Sequence, residues 1–185
     1  MAKPLTRTVG AAALGYLFGT LPSADVATRL ASGGAWSVYW YNGVMVSSEI
    51  SRGLDIFELT PSGFISRNEL DAAKTVHLDY LNTQGQPKLV WPPSFALARA
   101  YVDQLERSRG LEAGRIAVVR ESLAAAEKAK GNARREALTT LATGLDADAA
   151  GAGAGGTNGA GGEAGNGAKL RTLAAAVREL AGAGT

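Results

Sequence analysis

The chain has 185 residues, a net charge of +2 and no cysteine, which allows one modest domain with appendages. Without cysteine there are no disulfides, thiolate zinc sites or cysteine nucleophiles. Acidic and basic residues are mixed along residues 99–136, whereas a nucleic-acid surface needs clustered positive charge. We therefore predict no nucleic-acid partner. Trp36, Trp40 and Trp91 all lie in the first half, so we expect the best-packed core before about residue 105.

Residues 1–34 are a hydrophobic N-terminal segment in which Lys3 and Arg7 precede an apolar run, Val9–Leu21, of about 13 residues. A membrane helix needs about 20 apolar residues, while the core of a signal peptide needs only about 7–15. The length favours an export signal, although Pro22 occupies the −3 position of the nearest cleavage site. A signal peptide, a membrane contact through residues 9–21 and an ordinary buried helix all stay open.

Part of this segment carries a motif of a membrane enzyme family. Residues 15–22 read Gly-Tyr-Leu-Phe-Gly-Thr-Leu-Pro. Residues 14–34 resemble the first membrane helix of the bacterial acyltransferases that use acyl-phosphate and glycerol 3-phosphate. That family carries serine at the position of Thr20, and a phosphate-binding loop follows its helix. Here a β-type sequence follows Gly34 instead. Because the N–H donors of the loop are missing, the resemblance implies membrane association and no catalytic residues.

The segment 35–60 has the pattern of a short β-structure. Ser37–Tyr41 is rich in β-branched and aromatic residues, and Val44–Ser48 is predicted as its return strand. The intervening Asn42-Gly43 is a strong hairpin signal, because both central residues of a type I′ turn need positive φ.

A third strand is predicted after a turn at Arg52-Gly53. Leu54–Leu59 alternates apolar and polar residues with period two, so we expect Leu54, Ile56 and either Phe57 or Leu59 to be covered. Three short strands are a marginal sheet on their own. The sheet is therefore expected to end a larger β-structure or to lie against helices.

These strands carry a second resemblance. Residues 39–61 read YWYNGVMVSSEISRGLDIFELTP and resemble the final repeat of bacterial secreted LVIVD-repeat proteins, which are β-propeller-like. The similarity extends from about Trp36 to Asp148 and includes the helical tail of those proteins. It implies an exported β-structure followed by helices. The upstream repeats that would complete a propeller are missing from this sequence, which leaves the strands short of partners.

Residues 61–148 have the pattern of a small helical bundle. Ser66 and Glu69 form a capping-box pattern that opens a helix through about Val76. Trp91-Pro-Pro-Ser94 begins the next helix, and Gly110 ends it.

Two further helices follow in the same region. The first extends from about Glu112 to Lys130, and Asn132 is expected to cap the second. Apolar residues recur at helical spacing in the last three helices. The expected core positions are Phe95, Ala98, Tyr101, Val102, Leu105, Ile116, Val119, Leu123, Ala126, Leu138, Leu141 and Leu145.

The end of the chain is predicted as a glycine-rich linker, 149–167, and a C-terminal helix, 168–185. The helix carries one apolar stripe. Its members are Leu170, Leu173, Val177 and Leu180. This spacing suits docking on the chain's own bundle or on a partner protein. The bundle is favoured because a short linker keeps the effective concentration high.

Candidate chemical groups are few. His77, the only histidine, has Asp71 and Asp79 nearby, but one histidine with two carboxylates falls short of transition-metal spacing. Ser94 could complete a serine–histidine–acid set with His77 and Asp71, but no nucleophile elbow supports it. We predict no catalytic residue, no metal ligand and no cofactor.

One group of aromatic residues is a candidate ligand platform. Its members are Trp36, Tyr39, Trp40 and Tyr41. Aromatic residues in strands more often fill a core, and that alternative stays open.

The sequence thus predicts an α+β fold, mainly α, in which a β-hairpin or three-strand remnant is followed by a small helical bundle. The favoured function is a non-catalytic structural or interaction module of an exported or cell-surface bacterial protein of the LVIVD-repeat kind. The alternative is a truncated or fused glycerol-3-phosphate acyltransferase, inactive without its phosphate loop. A reading frame that joins two unrelated gene ends is the third interpretation.

Overall fold

The structure is a computed structural model that describes residues 35–50, 53–85, 88–152 and 163–183. The candidate export signal, the membrane contact through residues 9–21 and the acyltransferase motif lie outside the described residues. So do Arg52 and the centre of the predicted linker. The fold is α+β and mainly helical, as predicted. The chain divides into two compact units, residues 1–91 and 92–185.

The first unit contains a three-stranded antiparallel sheet, with β1 at Ala35–Tyr41, β2 at Val44–Glu49 and β3 at Gly53–Phe57, in the order β1-β2-β3. The predicted hairpin is confirmed. Asn42 has φ 46° and Gly43 has φ 93°, as a type I′ turn requires. The strand predicted over 54–59 begins one residue earlier and ends at Phe57.

Helix α1, Arg67–Ala73, follows the sheet in the same unit. Its predicted capping box is present: the Glu69 backbone N–H donates to Ser66 Oγ over 3.1 Å, and the Ser66 N–H donates to Glu69 Oε2 over 2.7 Å. The helix ends three residues before the predicted end at Val76. A short 3₁₀ turn, Thr83–Gly85, comes later.

One face of the sheet packs with α1 and its flanking segments into a single apolar core. The members of this core are Val38, Trp40, Met45, Leu59, Ile65, Leu70 and Ala73, with Ala35, Phe57, Leu89 and Trp91 at its edge. Helix α1 therefore shares a core with the strands, although the sequence placed it in the helical bundle. The alternation of apolar residues along a strand shows that one face of the sheet must be buried, but it does not show which helix buries it.

The second unit is an all-helical bundle of α2 (Phe95–Arg107), α3 (Ala113–Lys128), α4 (Gly131–Ala152) and α5 (Glu163–Gly182). Ser94 caps α2, since its Oγ accepts from the Leu97 N–H over 3.1 Å. Glu112 caps α3 by accepting from the N–H groups of Gly114 and Arg115 over 3.0 and 3.3 Å. These caps satisfy N–H groups that have no partner within the helix.

Two helix boundaries differ from the expectation. Helix α4 begins at Gly131, so Asn132 lies inside its first turn and is not the residue that precedes it. The predicted linker 149–167 is shorter, because α4 continues to Ala152 and α5 begins at Glu163. Glycine weakens an isolated helix, but contacts between packed helices can offset that cost.

The bundle contains the larger of the two cores, contrary to the expectation that the main core lies before residue 105. Its buried members are Ala98, Val102, Leu105, Ile116, Val119, Leu123, Ala126, Leu138, Leu141, Ala142, Leu145, Ala149, Leu170, Leu173, Ala174, Val177 and Ala181. Small alanines in this set let the helices approach closely, which leaves the leucines and valines fully enclosed. The stripe of α5 packs into this core, with Leu180 partly buried.

Ion pairs connect neighbouring helices of the bundle. Arg120 on α3 bonds Asp103 and Glu106 on α2, over 2.8 and 2.7 Å. Arg115 bonds Asp148 over 2.8 Å, and Arg178 pairs with Asp146. Among the described residues, no helix combines the length and apolar character needed to cross a membrane.

Candidate functional site

The second face of the sheet, which we call the outward sheet face, is the one turned away from the apolar core of the first unit. It is defined by alternate residues of the three strands. They are Ser37, Tyr39, Tyr41, Val44, Val46, Ser48, Leu54 and Ile56. The pairing register places them together, because residues directly opposite in an antiparallel sheet point to the same face. Tyr39, Val46 and Ile56 form one continuous row across it.

The outward sheet face inverts the usual distribution of charge. None of its residues is acidic or basic, whereas the face that covers the core carries Glu49 and Asp55. A half-buried antiparallel sheet normally places polar residues on its solvent side. The only polar side-chain groups on the outward sheet face are the hydroxyls of its tyrosine and serine residues. The hydroxyls of Ser37 and Ser48 form a hydrogen bond of 3.0 Å with each other. The chemistry of this face therefore suits contact with another apolar surface.

Leu54 and Ile56 were expected to be covered, but they are 60% and 64% exposed. They lie on β3, at the edge of the sheet. The expected cover of Phe57 or Leu59 is confirmed, since Leu59, at the end of the same segment, is buried in the core. The segment alternates as predicted. Leu54 and Ile56, however, lie on the face of the sheet that points away from the core.

The structure divides the candidate ligand platform. Tyr39 and Tyr41 share the outward sheet face, but Trp40 points to the core and is only 4% exposed. Trp36 is 80% exposed and occupies the β-bulge between Ala35 and Ser37. Trp40 cannot belong to an exposed platform, because adjacent residues of a strand point to opposite faces. Its indole N–H has no hydrogen-bond partner among the described residues.

The hairpin turn is anchored by Asn42. The Asn42 side-chain amide donates to the Leu78 carbonyl over 3.0 Å, and the Leu78 N–H donates to Asn42 Oδ1 over 2.8 Å. The Tyr41 hydroxyl donates to the Asp79 carbonyl over 3.5 Å. The sequence identified Asn42 only as a turn residue. Its second role depends on a segment 36 residues away and leaves no local signal.

The remaining candidate chemical groups either stabilise the fold or have no visible role. His77 is exposed, and Asp71 forms an i,i+4 ion pair with Arg67 at 3.8 Å. Ser94, proposed as the nucleophile of a serine–histidine–acid set, caps α2. In the described part of the chain, no cluster of three or more histidine, aspartate or glutamate residues could hold a metal ion.

The bundle has a cavity of about 610 Å³ between the α2–α3 connection and the facing ends of α4 and α5. Ile116, Leu111 and Asn166 are among its lining residues. Its two carboxylates are engaged elsewhere, Glu106 with Arg120 and Glu112 with the start of α3. Residues 153–162, which follow α4 and precede α5 in the sequence, lie outside the described residues. The cavity offers volume, but no pair of free acid and base groups among the described residues.

Electrostatic effects in the bundle also follow from structural contacts. The hydrogen bond from Arg120 holds the pKa of Glu106 below its ordinary value of 4.5. Hydrogen bonds to Glu106 and Asp103 raise the pKa of Arg120. Burial, with a contribution from Glu179, raises the pKa of the Tyr101 hydroxyl above 10.0. These groups stay in their ordinary charge states near neutral pH, so the shifts do not indicate a proton-transfer site.

Comparison of the chain with family models, curated proteins and solved structures finds no match. The resemblances to LVIVD-repeat proteins and to the acyltransferases therefore remain predictions from the sequence. The outward sheet face is the feature of the described residues that most needs a functional explanation.

Proposed function

We propose that the chain is a non-catalytic structural or interaction module of an exported bacterial protein of the LVIVD-repeat kind. The observation that carries this proposal is the outward sheet face, which is uncharged and in register over all three strands. The resemblance of residues 36–148 gives the proposal its protein class. The lack of a metal cluster among the described residues is compatible with it but is not its basis.

A neighbouring β-sheet is the partner that fits this surface best. Two sheets pack face to face at about 10 Å with interdigitating side chains, and an uncharged face avoids the cost of burying charge. Full burial of an exposed leucine or isoleucine stabilises a contact by about 1.5–3 kcal/mol. Leu54 and Ile56 are already partly buried, so each would contribute about 1–2 kcal/mol.

The proposal is tested by titrating the purified chain with a soluble polypeptide of LVIVD repeats in a calorimeter. We expect saturable binding with a negative heat-capacity change, the mark of apolar burial. Ile56→Lys should weaken binding at least tenfold, because it places a charge in the centre of the contact. Thr60→Lys adds the same charge at an exposed residue beyond β3 and should bind like the unmodified chain.

Tryptophan fluorescence checks that both lysine variants keep the fold of the first unit, which contains all three tryptophans. The proposal is wrong if the folded chain binds no repeat polypeptide, or if Ile56→Lys and Thr60→Lys bind equally well.

The acyltransferase alternative rests on the Gly15–Pro22 motif alone. It is tested by incubating the purified chain with acyl-phosphate and glycerol 3-phosphate. We expect no acyl transfer above background, since the residues after Gly34 form β1 and not a phosphate-binding loop. Turnover above background would favour the enzyme over the interaction module.

A further inference from the structure

The cavity of the helical bundle has the size of a site for a small molecule. Its volume is about 610 Å³, and pockets that bind small organic molecules usually have volumes of about 300–1,000 Å³. Part of its wall is formed by apolar residues that belong to the bundle core or pack against it. They are Ile116, Leu111 and Ala152. This wall favours the apolar part of a ligand.

The two carboxylates that line the cavity are already compensated. Arg120 donates to Glu106 over 2.9 and 2.7 Å, so the charge of Glu106 is paired. Glu112 Oε2 accepts from the N–H groups of Gly114 and Arg115, at the positive end of the α3 dipole. These contacts offset the negative charge at the cavity, which argues against a cationic ligand.

Arg109 is the only basic residue among the described residues that line the cavity. It has no acidic partner in the described part of the chain, and its side chain is exposed, which places it at the mouth of the cavity. Its φ of 52° lies in the left-handed region where glycine is favoured. A charged side chain at a position that costs backbone stability, beside a cavity, is typical of a binding role.

A second hydrogen-bond donor comes from Asn166, in the first turn of α5. Asn166 is only 8% exposed, and its Oδ1 accepts a hydrogen bond from Ser108 Oγ over 3.1 Å. Its amide nitrogen has no acceptor among the described residues. Gly110, which follows Arg109, lies against this amide, since a Cβ on Gly110 would be 2.6 Å from Asn166 Cγ. The amide and Arg109 therefore belong to the same side of the cavity.

We propose that the cavity binds a small organic carboxylate with an apolar body, such as a medium-chain fatty acid. The carboxylate accepts hydrogen bonds from the Arg109 guanidinium, whose donor geometry matches it, and from the Asn166 amide. The apolar body lies against Ile116 and Leu111. A charged ligand explains why this position carries an arginine and not the glycine that its backbone favours.

Equilibrium dialysis of the full chain against octanoate tests the proposal, with octanol as the neutral ligand of the same chain length. We expect octanoate to fill one saturable site per chain and to bind more tightly than octanol. Apolar contact alone gives the opposite order, because a carboxylate loses more hydration on burial than a hydroxyl does. Added sodium chloride should weaken octanoate binding more than octanol binding, since salt screens the pairing with exposed Arg109.

Arg109→Gln and Arg135→Gln form a matched pair of variants. Both remove the charge of an exposed arginine, but Arg135 lies about 24 Å along α4 from Gly151, which lines the cavity. We expect Arg109→Gln to weaken octanoate binding at least about tenfold, and Arg135→Gln to bind like the unmodified chain. Gly151→Phe narrows the cavity from a position where a Cβ has open space, and it should weaken the binding of both ligands. Helical circular dichroism checks that the three variants keep the bundle.

The inference is overturned if octanoate shows no saturable binding, or if octanol binds as tightly. Equal effects of Arg109→Gln and Arg135→Gln would also overturn it, since they indicate unspecific contact with the surface. Loss of octanoate binding in Ile56→Lys but not in Arg109→Gln would place the ligand on the sheet instead.

This site is independent of the proposed function, because the cavity and the outward sheet face belong to different units of the chain. Failure of the titration with the repeat polypeptide contradicts only the proposed function. Failure of octanoate binding contradicts only the ligand site in the bundle.

Discussion

The side-chain amide of Asn42 forms two hydrogen bonds with the backbone of Leu78, one to its carbonyl and one from its N–H. Asn42 also has φ 46°, in the left-handed region that most side chains avoid. One residue thus sets the turn between β1 and β2 and fixes the segment that follows α1. The hairpin that presents the outward sheet face depends on this double role.

We expect Asn42→Ala to destabilise the first unit by about 2–3 kcal/mol, since it loses two hydrogen bonds of about 1 kcal/mol each and adds backbone strain. Asn42→Gly should cost about 1–2 kcal/mol, because glycine accepts the positive φ. The measurement is urea unfolding followed by tryptophan fluorescence, which reports on this unit through Trp36, Trp40 and Trp91. Equal losses in both variants would contradict the strain contribution, and a negligible loss in Asn42→Gly would contradict the hydrogen bonds.

Helix α2 ends with a non-glycine residue in a position that favours glycine. Arg109 has φ 52°, its N–H bonds the Glu106 carbonyl, and the Gly110 N–H bonds the Leu105 carbonyl over 2.8 Å. This is the Schellman pattern, in which the left-handed residue is usually glycine. Arg109→Gly should therefore stabilise the bundle by about 1 kcal/mol.

Helical circular dichroism during urea unfolding measures this effect, because four of the five described helices lie in the bundle. Glu121→Gly is the control, since Glu121 is an exposed residue inside α3. There glycine should destabilise the bundle by about 1 kcal/mol. A loss of stability in Arg109→Gly would show that the arginine side chain contributes more than its backbone position costs.

Gly110 lies against the start of α5. A Cβ built on Gly110 would be 2.6 Å from Cγ and Oδ1 of Asn166, whose Oδ1 also accepts a hydrogen bond from Ser108 Oγ over 3.1 Å. Gly110→Ala should destabilise the bundle by about 1–3 kcal/mol through this overlap. The cost should fall in the Asn166→Ala background, which removes the clashing atoms. A thermodynamic cycle of the two substitutions, measured by urea unfolding, isolates the contact, and purely additive effects would contradict it.

Local signals in the sequence were sufficient for many helix starts. The caps at Ser66, Ser94 and Glu112 involve hydrogen bonds to N–H groups only two or three residues away, so they are readable from short stretches. The start of α5 is different. Glycine-rich composition indicates a linker, but Asn166 is held by Ser108, and a Cβ on Gly167 would lie 3.6 Å from the Ala149 carbonyl. These contacts between distant segments favour the helix, and local composition does not contain them.

The candidate site could be predicted only in part. The hairpin signal and the alternation of the third strand were sufficient to expect a sheet with one face in need of cover. The position of each side chain depends on the register, which pairs Tyr39 with Val46 and Val46 with Ile56. A shift by one residue moves every side chain to the other face. The sequence therefore grouped Trp40 with Tyr39 and Tyr41, although its side chain lies in the core.

The pairing of Glu106 with Arg120 predicts how the stability of the bundle changes in acid. The pKa of Glu106 is below 4.5 in the folded chain because of its hydrogen bond with Arg120. The stabilisation from its charged form is therefore complete above 4.5 and is lost as the pH falls through the folded pKa. Glu106→Gln should lower stability near neutral pH, and its deficit should shrink as the pH falls below about 4.5 and through the folded pKa. Urea unfolding at each pH gives the difference, with Glu121→Gln as an exposed control that should show no such trend. A deficit that stays constant across this range would mean that the charge of Glu106 is not what stabilises the α2–α3 contact.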